Sequence, residues 1–137
     1  MSTPPMSDAT THGIRVGAAA FYLPDESDPA SSQWVFGYNI VIANNSETRV
    51  QLLRRHWRII DGDGAEHHVD GEGVIGQQPA LEPGQAFKYA SFCPLPTPWG
   101  TMEGHYVFHA DDAWETFEVE IARFWLTTEQ TLSPQEG

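Results

Sequence analysis

From about residue 13 to residue 127, apolar side chains recur at every second position rather than every third or fourth. That period belongs to strands with one buried face, and it restricts the chain to sheet architectures. Trp34, Phe36, Tyr38, Ile40 and Ile42 share one face of a segment, and Phe117, Val119 and Ile121 alternate with Glu118 and Glu120 in another. No window of eleven or more residues carries a helical stripe. Asn44-Asn45-Ser46, Asp61-Gly-Asp-Gly64, Leu81-Glu-Pro-Gly84 and Asp111-Asp112 supply turn chemistry between the alternating segments. The expected strands are Ile14–Leu23, Trp34–Ile42, Val50–Asp61, Ala65–Val69, Ala86–Cys93, Met102–Ala110 and Trp114–Leu126. Gly71–Gln77 reads as a glycine-broken edge or loop. Pro94–Gly100 holds three prolines and reads as a loop. The alternation slips near Ala122-Arg123, where a bulge or bend is expected. The fold class is therefore all-β: an antiparallel two-sheet sandwich of immunoglobulin or fibronectin type III kind, with about seven or eight strands. Cys93 is the single cysteine, so the Cys-Trp-Cys hallmark of antibody domains is absent and the fibronectin-like variant fits better.

A chain of 137 residues suits one domain. Polar, proline-bearing ends predict loose tails at 1–12 and 128–137 around a domain at 13–127. Seven basic residues face 19 acidic ones, for a formal charge of −12. Such a chain is expected to avoid nucleic acid and anionic lipid and to favour a basic protein partner. No apolar run is long enough to span a bilayer, and the N-terminus lacks the pattern of a signal peptide, so a soluble cytoplasmic protein is expected. One cysteine leaves neither an internal disulfide nor a cysteine-based zinc site.

Four sets of residues invite chemistry. Gly71-Glu-Gly-Val-Ile-Gly76 spells the glycine pattern of dinucleotide-binding turns, with Gly71, Gly73 and Gly76 as the glycines. That motif needs a helix after it, yet Gln77-Gln-Pro79 follows, so a bulged edge strand is expected, with a non-helical anion nest as the alternative. Arg54, His56 and Arg58 share a strand face, either as a small cationic patch for a phosphate or acidic partner, or as an outer face paired with neighbouring acids. Arg55 falls on the core side with Leu53, Trp57 and Ile59, so it should lie at the core's edge, bonded to loop carbonyls or an acid. Glu103 and His105, two apart on a strand, are the nearest approach to a metal site and need a third ligand from elsewhere. His67 and His68 point to opposite faces, and His105 and His109 stand too far apart to share an ion. The carboxylate pairs Asp61/Asp63 and Asp111/Asp112 offer at most weak Mg²⁺ or Ca²⁺ binding. Cys93 has no base near it in sequence and reads as a small buried residue. No catalytic constellation emerges, and no cofactor is expected beyond weak Co²⁺ or Mg²⁺.

Gln51-Leu-Leu-Arg-Arg-His-Trp57, Gly71–Gly76, Gln78-Pro79, Pro83-Gly84, Phe87-Lys-Tyr89, Cys93-Pro-Leu95, Thr97-Pro98, Gly100-Thr-Met102 and Gly104-His-Tyr106 follow one another in a characteristic order and spacing. In this the chain resembles the ApaG family from about Ile14 to Leu126. The resemblance implies a fibronectin type III-like sandwich and a bacterial protein named in connection with cobalt resistance and magnesium efflux. It also implies kinship with accessory modules of eukaryotic F-box and polymerase-interacting proteins. Phe92 and Trp99 depart from the family pattern, standing where a glycine and a small residue are usual. They would add apolar surface to the 92–100 loop and are the expected partner-binding residues. The expected function is a non-catalytic binding module, indirectly linked to divalent-cation homeostasis. The alternatives are a direct divalent-metal binder and a nucleotide or pyrophosphate binder using Gly71–Gly76.

Overall fold

The computed structural model describes residues 6–129. Nine strands follow in chain order: β1 (Ser7–Thr11), β2 (Ile14–Tyr22), β3 (Trp34–Asn44), β4 (Val50–Asp61), β5 (Glu66–Glu72), β6 (Ala80–Leu81), β7 (Ala86–Leu95), β8 (Trp99–Ala110) and β9 (Thr116–Thr127). Two short 3₁₀ turns, Pro24–Glu26 and Pro29–Ser31, lie between β2 and β3. One sheet runs β1-β2-β3-β7. The other runs β5-β4-β8-β9, with β6 paired to β4, and every pairing is antiparallel. The chain crosses from the first sheet to the second between β3 and β4, and β7 returns beside β3. This is the Greek-key sandwich expected from the alternation.

The period-two faces meet in the middle. Ile14, Val16, Phe36, Ile40, Ile42, Leu52, Tyr106, Phe108, Phe124 and Leu126 are fully buried between the sheets. Trp57 sits among Tyr38, Tyr106 and Phe124 in edge-on contacts that suit ring quadrupoles. Between the sheets the hydroxyls of Tyr89 and Tyr106 bond to each other, so each buried O–H has a partner. The bulge expected at Ala122-Arg123 is present: Met102 pairs with Phe124 and Gly104 with Ile121, leaving 122 and 123 opposite Glu103. It restores Phe124 and Leu126 to the core after Ile121. A second bulge, at Leu53, was not expected. Leu52 pairs with Phe108 and Arg54 with Val107, so the β4 parity changes and both Leu52 and Trp57 point inward.

Four expectations are corrected. Of the loose tail expected at 1–12, Ser7–Thr11 instead pair with Ile14–Ala18 as a hairpin through His12 and Gly13, both at positive φ, and residues 1–5 lie outside the described residues. Thr11 Oγ1 accepts the Glu120 N–H, which ties β1 to β9 across the sandwich's side. The loop expected at Pro94–Gly100 is much shorter: β7 runs to Leu95 and β8 begins at Trp99. Pro94 is tolerated because β7 is an edge strand that needs no second set of N–H partners. The final strand starts at Thr116, leaving Trp114 in the preceding turn at 99% exposure. The strand expected to end at Val69 continues through Gly71 to Glu72. Of the C-terminal tail expected at 128–137, the part after Glu129 lies outside the described residues.

Candidate functional site

The chemistry-bearing side chains gather on the outer face of the five-stranded sheet. Strand alternation after the Leu53 bulge turns Arg54, His56 and Arg58 outward, between β5 and β8. Arg58 lies opposite His68 on one side and Glu103 on the other. Its guanidinium holds Glu66 through two bonds, at 3.0 and 2.9 Å, and donates to Glu103 at 3.1 Å. Arg123, turned out by the β9 bulge, donates to the other Glu103 oxygen at 2.6 Å. Fork-to-carboxylate bonds of this kind favour the ionised acid. They hold the Glu66 carboxyl down at about 2, with Arg58 as the main cause, and hold Glu103 below its usual range, chiefly through Arg123. Glu103 is thus gripped by two cations.

The histidines form a chain. Asp70 bonds His56 Nδ1 at 2.6 Å, His56 Nε2 lies 3.3 Å from His68 Nδ1, and His68 Nε2 lies 3.3 Å from Glu66. His105 stacks on His56 with ring centres 5.1 Å apart and sits 3.6 Å from Glu118. His67 points the other way, towards Asp61 at 3.7 Å, as its position beside His68 requires. Among the described residues no three His, Cys, Asp or Glu side chains are arranged to hold a metal ion. On this face His56 is cross-paired with Asp70, and Arg58 with Glu66 and Glu103. Arg54, opposite Glu72, acts on Asp70 through its charge.

Arg55 stands where its place in the alternation puts it, at the core's edge. Its Nη1 donates to the carbonyls of Glu72 and Gly73, at 3.1 and 2.9 Å. A Cβ on Gly71 would come within 2.7 Å of that guanidinium, so Gly71 is the opening through which Arg55 reaches the backbone. Gly73 has positive φ, and a Cβ there would meet the Gln77 carbonyl oxygen at 2.1 Å. Val74 and Gln77 exchange both backbone bonds, at 2.8 and 2.9 Å, around Ile75 and Gly76, each at positive φ. Two such residues make a tight hairpin turn. The three glycines of the motif thus carry a side-chain passage and a reversal, and no helix follows them.

Phe92 and Trp99 do not share a loop. Phe92 faces out from β7 on the four-stranded sheet, 71% exposed, while Trp99 faces out from β8 on the other sheet. Trp99 stacks on Trp125 with ring centres 5.8 Å apart and 22° between planes, and the two are 43% and 50% exposed. The Asp61–Gly64 turn passes directly beside them: a Cβ on Gly62 would lie 2.6 Å from the Trp99 indole nitrogen. Asp61 is buried and accepts the N–H groups of Asp63 and Ala65, which fixes that turn. Trp125 carried no sequence signal as a partner of Trp99, because the two meet only through the β8–β9 register. Cys93 is buried and its thiol is pushed up to about 12 by desolvation, far from a nucleophile's range.

These features define a β-sandwich domain of the immunoglobulin and fibronectin type III kind, with polar groups cross-paired on one sheet face and aromatic side chains exposed on both. An ApaG domain model matches residues 24–110, and the chain belongs to the ApaG family. It is 49% identical over 123 residues to protein ApaG of Allorhizobium ampelinum, covering 90% of this chain and 94% of that one. It is 50% identical over 121 residues to protein ApaG of Methylobacterium nodulans, covering 88% and 92%. A crystal structure described as an ApaA protein of Bordetella pertussis superposes with a TM-score of 0.81 at 42% identity, covering 93% of this chain and all of that one. No helix among the described residues is long and apolar enough to cross a membrane.

Proposed function

We propose that the chain is a non-catalytic, cytoplasmic protein-binding module, and that the stacked Trp99–Trp125 pair is its recognition platform for a basic segment of a partner protein. The observation that carries this reading is the pair itself. Two large indoles lie half exposed and stacked, held in register by adjacent strands, with the Asp61–Gly64 turn against them. Tryptophan faces attract guanidinium and ammonium groups, and preformed aromatic surfaces are the usual anchors of interfaces. The formal charge of −12 steers cationic segments towards any part of the molecule. By contrast, the groups that chemistry would use are engaged with one another or buried: Glu103 with two arginines, Arg55 with two carbonyls, Cys93 in the core. In this reading the divalent-cation connection of the family reaches the chain through its partner rather than through a bound ion.

The test is a titration of isotopically labelled protein with a short arginine-rich peptide, against an acidic peptide of equal length. The expected result is saturable movement of the Trp99 and Trp125 indole N–H signals with the basic peptide only. A Trp99→Ser/Trp125→Ser double variant, folded because both rings are half exposed, should lose that response. Equal response in the variant, or movement confined to Arg58, His56 and Glu103, would refute the platform. In the same spectra, cobalt addition should cause no saturable local loss at Glu103 or His105.

A further inference from the structure

Six of the seven basic side chains are turned towards an acid or a backbone carbonyl. Arg15 bonds Asp8, Arg49 pairs with Glu82 and Asp111, and Arg54 lies opposite Glu72. Arg55 holds two carbonyls, and Arg58 and Arg123 share Glu103. Lys88, the one lysine of the chain, is the exception. It stands exposed on β7, an edge strand, so only β3 lies beside it, and there its cross-strand neighbour is Val41. Among the described residues Lys88 makes no ion pair. The strands of its sheet, β1, β2, β3 and β7, contain a single acidic residue, Asp8, and that carboxylate is taken by Arg15. All the other described acids lie on the second sheet, in turns or in the 3₁₀ segments. The outer face of the four-stranded sheet therefore carries an uncompensated positive charge on a molecule of net charge −12. The same face is apolar around that charge. Gly17, Ala19, Val41 and Ala43 line a shallow hollow with Arg15 at its edge, and Lys88 borders it across Val41. Four residues further along β7, about 13 Å away on the same face, Phe92 stands exposed.

We propose that this face receives an apolar segment of a partner protein that carries a carboxylate, with the acid beside Lys88, one apolar side chain in the Val41 hollow and another against Phe92. Charge complementarity selects this occupant. An acidic segment is repelled by the rest of a molecule of charge −12, and it settles where an ammonium is free and no carboxylate is. Repulsion everywhere else then supplies the specificity. The Arg15 guanidinium is already filled by Asp8, which leaves Lys88 as one compact charge. One such charge matches a carboxylate. A phosphate monoester would bring a second negative charge near Asp8 with no cation to meet it. The shape of the face argues for a protein segment. Small-molecule sites enclose most of the ligand, whereas this hollow is open along a sheet, so a small amphiphile would stay largely in water while a peptide lies along the strands. An exposed ion pair contributes little by itself. Phe92 supplies the anchor, and Lys88 decides which segment stays on it. This surface is separate from the Trp99–Trp125 pair, which faces out from the other sheet.

The probes are three short, end-blocked peptides of leucine, phenylalanine and serine, alike except for glutamate, glutamine or lysine at one central position. With the glutamate peptide at about 1 mM, amide shifts of the labelled protein should saturate. They should fall on 15–19, 37–43 and 86–92 and leave the Trp99 and Trp125 indoles still. On this face the affinities should run glutamate, glutamine, lysine, from tightest to weakest. Lys88→Glu should invert that order and weaken the glutamate peptide about fivefold or more. Phe92→Ser should weaken all three about tenfold. Both side chains are exposed, so the unfolding midpoints should stay at the wild-type value, which separates loss of the surface from loss of the fold. Equal affinity of the glutamate and lysine peptides at this face, or an order that Lys88→Glu leaves unchanged, would overturn the proposal. So would the same shifts arising from protein concentration alone, which would make the occupant a second copy. Shifts produced by phosphatidylglycerol vesicles and by none of the peptides would also overturn it, in favour of a membrane surface.

Discussion

Replacing the two core tyrosines by phenylalanine, singly and together, tests how the sandwich accommodates polar groups in its interior. The Tyr89 and Tyr106 hydroxyls bond to each other between the sheets, and burial drives both phenols upward from their ordinary ionisation range. Tyr106 is wholly inaccessible, whereas Tyr89, on the edge strand β7, retains 8% exposure. Tyr89→Phe therefore strands a hydroxyl that water cannot reach, and Tyr106→Phe strands one close to solvent. A buried polar group left unpaired costs about 1–3 kcal/mol, so Tyr89→Phe should fall near the top of that range and Tyr106→Phe near the bottom. Removing both hydroxyls leaves nothing unsatisfied, and the double variant should lose about 1 kcal/mol or less. Denaturant titrations followed by tryptophan fluorescence give all four stabilities, and the cycle should then show a coupling of about 2 kcal/mol. Additive single effects, or a costlier Tyr106→Phe, would refute the argument that the two groups satisfy only each other.

Ile75 is a β-branched residue at positive φ in a two-residue turn. Ile75→Asn should raise stability by about 1 kcal/mol by relieving that strain, measured by the same titrations. Acid should weaken the fold in a defined window. The Glu66 carboxyl drops from 4.5 to about 2 on folding, mainly because of Arg58, so its contribution is complete above pH 4.5 and disappears as pH falls towards 2. Arg58→Met should flatten the pH dependence of the unfolding midpoint over that interval. Cys93 should resist iodoacetamide at pH 8 in the native state and react at the rate of an ordinary thiol once the chain is unfolded in urea.

Much of the fold is legible in the chain because one face of nearly every strand is buried, and a period of two then leaves little choice of register. The bounds of Val50–Asp61 and the outward row Arg54, His56 and Arg58 were readable for this reason, and so was the slip near Ala122-Arg123. Arg55 was readable too, since a guanidinium on a core face has few places to go except backbone carbonyls at the margin. What escaped has a common cause. Pro94 looked like a strand breaker, and only the sheet order reveals that β7 is an edge where proline costs no ladder bond. The Leu53 bulge, the two residues of β6, the Tyr89–Tyr106 bond and the Trp99–Trp125 stack all depend on which strands become neighbours. Local spacing carries no such information.

The same dependence explains why the candidate site changed character. On the sequence, Arg54, His56, Arg58, Glu103 and His105 are separate short patterns, and each suggests a ligand of its own. Pairing of β5, β4, β8 and β9 places them in adjacent rows and adds Glu66, Asp70 and Arg123 beside them. Opposite charges at cross-strand distance then find each other before any ligand does. The proposed binding surface accordingly lies where the side chains face solvent rather than an opposite charge. The Trp99–Trp125 indole pair has faces but few polar atoms to satisfy. In a protein of this net charge, a cationic segment is the occupant proposed above for that surface.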